Sequence, residues 1–189
     1  EHEKALETFR RHGVRVEGDL VFLDEKTLMQ AIKQIPSEFT IESCKGDVTI
    51  GGANVAFRPV GSNIYISEKG KIRRMSNEDT FNQFKLADTS PIITSSHINP
   101  LNEMDGFTQE QKVYAQMALQ MRYANKPTFT LYPNFAAMKE GQSAGALFRE
   151  SVKLIKRFEG KEDAYVMLPM LNSLSPLTYD HTPVEKLFA

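Results

Sequence analysis

Cysteine is nearly absent from this chain of 189 residues: Cys44 is the single one, which excludes an internal disulfide framework and fits a reducing, cytoplasmic compartment. A surplus of one charge is missing too. Lys and Arg number 23 against 24 Asp and Glu, a formal net charge of −1, so no basic footprint for nucleic acid is expected. Long apolar runs are also lacking. None reaches the roughly 18 residues of a membrane span, and the opening EHEKALETFRRHG is charged rather than signal-like. The four histidines, His2, His12, His97 and His181, are scattered, none at ligand spacing from Cys44, so no metal site is expected. His2 and His12 read as solvated positions on or beside a polar first helix. What is there, 41% apolar and 25% charged residues, is the make-up of a soluble globular domain with one sizeable core.

The pattern divides in two. Residues 1–61 read as a small α+β cap. Ala5 and Phe9, with Leu6, line a first helix that Gly13 ends; VRV and LVFL are short strands. DEKTLMQAIKQIP is a second amphipathic helix, capped by Asp24, faced by Leu28, Ile32 and Ile35 and stopped by Pro36. FTIES, DVTIGG and NVAFRPV alternate apolar and polar residues between glycine turns, which predicts antiparallel strands. Residues 62–189 have a longer rhythm. NIYIS, IITSSH, TFTLY and AYVMLPML read as strands separated by helices that Ser76 (with Asp79), Thr108 and Ser143 cap, the last closed by Gly160. Short buried strands alternating with helices of ten or more residues signal βα units and a parallel sheet, here with strands near 63–66, 92–96, 128–132 and 164–171. No G-x-G-x-x-G turn supports a nucleotide-binding sheet. The expected fold is α/β, a partial (β/α)8 TIM-type barrel of about four units behind the small cap. MLNSLSPLTYDHTPVEKLFA then starts a further helix, with Thr182 as cap, Pro183 first and Glu185 completing a capping box.

Few motifs carry chemistry by themselves. Cys44 flanks a turn and has no partner base, so a bystander is the simpler reading. GQSAG has the spacing of a nucleophile elbow but lacks the strand before it, which makes Ser143 a helix cap. The methionines of YAQMALQMRY and VMLPML read as core filler, and Arg73-Arg74 as a solvated pair ahead of a helix. In a βα barrel the loops after the strands converge on one mouth. That singles out Ser95, His97, Tyr132, and Asn172 with Ser173 and Ser175, against the plainer reading that they form a loop hydrogen-bond network.

The order of motifs resembles the trimethylamine methyltransferase family, which includes glycine betaine:corrinoid methyltransferases. The stretches that carry it are ALETFRRHGVRV, IPSEFTIES, VTIGGANVAFRPVGSNIYISEKGKIRRMSNEDTFNQFKLADTSP, YANKPTF and LNSLSPLTYD, in family order. The resemblance implies a (β/α)8 barrel that moves a methyl group from a small methylated amine to the cobalt of a corrinoid held by a separate corrinoid-binding protein. It implies that this chain is an N-terminal fragment of a longer enzyme, silent alone, with the catalytic residues beyond Ala189. No cofactor is then bound directly, and no nucleic acid or membrane partner is implied. Tyr132 and Tyr179 become candidate aromatic faces for a cationic substrate. A half-barrel leaves unpaired strand edges and an apolar inner face with Ile93, Phe129, Leu131, Val166 and Leu168, so a homo-oligomer is expected. The alternative is a complete small non-catalytic α/β ligand-binding domain.

Overall fold

The computed structural model describes residues 2–59, 61, 63–96, 101–128, 143–167, 173–175 and 177–189, with only the backbone of Gln109. The first elements are α1 (Glu3–Arg11), β1 (Arg15–Glu17), β2 (Leu20–Phe22), α2 (Glu25–Ile32), β3 (Glu38–Ile41) and β4 (Val48–Gly51). They are followed by β5 (Tyr65–Glu68), β6 (Lys71–Arg74), α3 (Asn77–Thr89), α4 (Gln109–Tyr123), α5 (Ala144–Glu159) and α6 (His181–Leu187).

Helix starts follow their side-chain caps. Asp24 Oδ1 accepts the Thr27 amide at 2.9 Å, and Ser143 Oγ accepts that of Ala146 at 3.1 Å. Ser76 and Asp79 form a reciprocal box, as do Thr108 and Gln111. Gly160, at φ 67°, takes the left-handed turn that ends α5. Two boundaries differ from expectation. Helix α2 ends at Ile32, because the chain tightens into i→i+3 bonds, Gln34 N to Ala31 O and Ile35 N to Ile32 O, before Pro36. Helix α6 begins at His181 behind Asp180, so Thr182 lies inside its first turn and caps nothing. Glu185 does not complete a box either; its carboxylate accepts the Gly145 amide of α5 at 3.3 Å. A side chain on Gly145 would come within 3.0 Å of Glu185 O, so a glycine lets these helices meet.

All three ladders among the described residues are antiparallel hairpins, β1–β2, β3–β4 and β5–β6. Two strand expectations need correction. NVAFRPV adds only an isolated bridge from Asn54 to Gly51. The expected strand at 63–66 pairs antiparallel with Lys71–Arg74, and among the described residues no ladder joins it to another proposed barrel strand. The described parts of 92–96 and 164–171 hold single backbone bonds rather than ladders: Thr94 N to Phe57 O, Ser96 N to Pro127 O and Glu42 N to Tyr165 O. The expected strand 128–132 lies outside the described residues after Thr128.

The core forms where α4 and α5 face each other. Val113 and Met117 pack with Leu147, Phe148 and Ile155 against Val166 and Met167. Each such side chain contributes roughly 1.5–3 kcal/mol by leaving water. Val166 is thus buried rather than part of an exposed inner face. A second cluster, Phe84, Leu119 and Ala124, joins α3 to α4. In α1 the buried residue is Leu6, while Phe9 is exposed. His2 is not a solvated side chain: it stacks on Phe188 and tilts against His181, at centroid distances of 5.3 and 5.0 Å, which brings α1 to α6.

Candidate functional site

Helix α3 ends with a carboxylate, Asp88, in its last turn, where the helix dipole disfavours an anion. Neighbours compensate for it. Asp88 Oδ2 accepts from the Asn125 amide at 3.2 Å and from Asn125 Nδ2 at 2.9 Å, and Oδ1 accepts from the Ser96 hydroxyl. A cation is favoured at the same helix end, and Lys126 supplies it. Its Nζ donates to Ala87 O at 2.7 Å, Ser90 O at 2.5 Å and Ile93 O at 2.7 Å, which uses all three of its protons. Thr94 in turn grips Phe57, with Oγ1 accepting the Phe57 amide at 2.9 Å while Oγ1 and the Thr94 amide donate to Phe57 O. The segments around Phe57, 93–96 and 125–127 are therefore held side by side.

A second polar junction fastens β3–β4 to α5. Glu159, 8% exposed, accepts from Ser43 Oγ at 2.9 Å and from the Cys44 amide at 2.8 Å. Hydrogen bonding to Glu159, with some desolvation and the Glu159 charge, pushes the exposed Cys44 thiol above its ordinary range. Lys45 donates to Met121 O at 3.3 Å and lies over the Phe158 ring. Between the two junctions is a recess of about 510 Å³, lined by Lys45, Asp47, Thr49, Asn54, Thr94 and Lys126. Its lysines are committed to carbonyls, so it presents no activated base or nucleophile.

The expected mouth residues are only partly on view. Ser95 is 1% exposed, next to the equally buried Ser96, whose hydroxyl is the one bonded to Asp88. Ser175 and Tyr179 are exposed around the turn closed by the Leu174–Thr178 bridge, and the described bonds do not bring them to Ser95. His97, Tyr132 and Asn172 lie outside the described residues. Arg73 is not a solvated loop cation. Its guanidinium bonds both oxygens of Asp79, at 2.6 and 2.9 Å, and Glu68 at 3.0 Å, holding the Asp79 carboxyl well below the usual carboxylate range. Sequence reasoning missed Asp88, Lys126 and Glu159. A signal existed for the first: an acid in the last turn of a helix needs a partner from elsewhere. Among the described residues no group of three or more His, Cys, Asp or Glu side chains is placed to hold a metal ion. No helix among them is long and apolar enough to cross a membrane.

Known proteins give this arrangement a context. Trimethylamine methyltransferase (MTTB) matches residues 1–189. A proline betaine:corrinoid methyltransferase of Eubacterium limosum is 30% identical over 191 residues, 98% of this chain and 39% of that protein. An L-carnitine:corrinoid methyltransferase of the same organism is 28% identical, over 94% of this chain and 37% of its own length. A glycine betaine methyltransferase of Desulfitobacterium hafniense (strain Y51) is 30% identical, over all of this chain and 39% of its own. The chain thus spans about two fifths of the length of these relatives. With the family match running from the first residue to the last, the chain belongs to the trimethylamine methyltransferase family.

Proposed function

We propose that this chain forms the first βα units of a corrinoid-dependent methyltransferase, which takes a methyl group from a small quaternary or tertiary amine. The observation that carries the reading is the family match over residues 1–189, with three relatives all named as methyltransferases and two of them as corrinoid-dependent. Betaine-type donors, with a methylated ammonium and a carboxylate, are the favoured substrate class. The corrinoid, when its carrier protein brings it, supplies the cobalt that accepts the methyl group.

The proposed architecture is a (β/α)8 barrel, and the lateral bonds Phe57–Thr94 and Ser96–Pro127 support a modified order of strands. In this reading the first barrel strand runs through Phe57, the second through Thr94 to Ser96 and the third onwards from Pro127. The Asp88–Lys126 junction then lies where helices return to strand starts, the face that stabilises such barrels. The mouth belongs to the opposite ends, where His97, Tyr132, Asn172, Ser175 and Tyr179 remain the candidates for lining it, whereas Ser95, beside the Ser96 that bonds Asp88, falls at the junction in this reading. A cytoplasmic location and self-association complete the reading; the exposed Cys44 suits a reducing compartment.

The test is methyl transfer to free cob(I)alamin by the protein expressed from its complete reading frame. Glycine betaine, proline betaine, L-carnitine and trimethylamine would be offered in turn. The expected result is formation of methylcobalamin with at least one donor, followed by its absorbance. No transfer with any of them, against a protein-free control, overturns the reading.

A further inference from the structure

We draw no further inference here: the strongest candidate, the open recess of about 690 Å³ that Phe81, Phe84 and Tyr123 line between α3 and the end of α4, is an apolar groove, and nothing in the structure shows what covers it.

Discussion

Helices α2 and α5 carry the same kind of sequence signal and meet different fates. Both are amphipathic, and both begin behind a side chain that caps the amide three residues on. Yet α5 buries Leu147, Phe148 and Ile155, whereas Leu28, Met29 and Ile32 of α2 remain 42%, 45% and 45% exposed. Caps and periodicity decide that a helix forms and which face is apolar. What covers that face is decided elsewhere: α5 has α4 on one side and Val166–Met167 on another, while no side chain of α2 is buried among the described residues.

The strongest test of this contrast is a pair of truncations compared by urea unfolding. Phe148→Ala should cost about 3–5 kcal/mol, as expected when an aromatic ring leaves a packed core. Leu28→Ala should cost no more than about 0.5 kcal/mol, the usual range for an uncovered position. A loss at Leu28 as large as at Phe148 would break the contrast and show that α2 is covered in solution.

A second test probes how the cap is held to α5. Glu159→Ala leaves Ser43 Oγ and the Cys44 amide without their acceptor, for an expected loss of about 2 kcal/mol. Glu159→Gln should also remove the main influence holding the proton on Cys44. The thiol pKa then falls towards its ordinary value, so at a fixed pH near 8, roughly the start of thiol ionisation, alkylation by iodoacetamide should speed up. Slower alkylation in Glu159→Gln would mean that the carboxylate activates the thiol.

Smaller effects belong to the start of α3. Ser76→Ala should cost about 1 kcal/mol through loss of its cap, read as a shift in the urea midpoint. The smallest concerns the Arg73–Asp79 pair. Because the folded-state pKa of Asp79 is depressed, its contribution is present above the unfolded carboxylate pKa and is lost as pH falls through that range and below. Acid titration of stability should therefore be shallower in Asp79→Asn, and the difference should shrink in high salt because the pair is partly exposed. An unchanged slope would show that the pair is inert.

Much of this molecule was legible before the structure, and the limits follow one physical line. Local chemistry was readable: Asp24, Ser76, Thr108, Ser143 and Gly160 each do what their residue type favours at a helix end. Thr182 and Glu185 looked equally good, but the meeting of α6 with α5 at Gly145 claimed Glu185 and moved the boundary. Strand partners were less readable, because NIYIS alternates as a barrel strand would and nothing local distinguishes a parallel neighbour from the arm across a Lys-Gly turn. In the candidate site Ser95 was reached from its position after an apolar run. Asp88, Lys126 and Glu159 were not, since their partners lie 8 to 116 residues away in the sequence and no short pattern encodes such a pairing.

The grip of Lys126 and Asp88 has a consequence for how the chain breathes. The ammonium holds three carbonyls of 87–93, and the carboxylate holds the hydroxyl of Ser96 and both nitrogens of Asn125. Neither the return loop of α3 nor that of α4 can open without abandoning bonds in the other. Their amides should therefore exchange with deuterium as one cooperative unit rather than fraying separately. Lys126 is the fastener, so the unit should come apart in a single step in Lys126→Met.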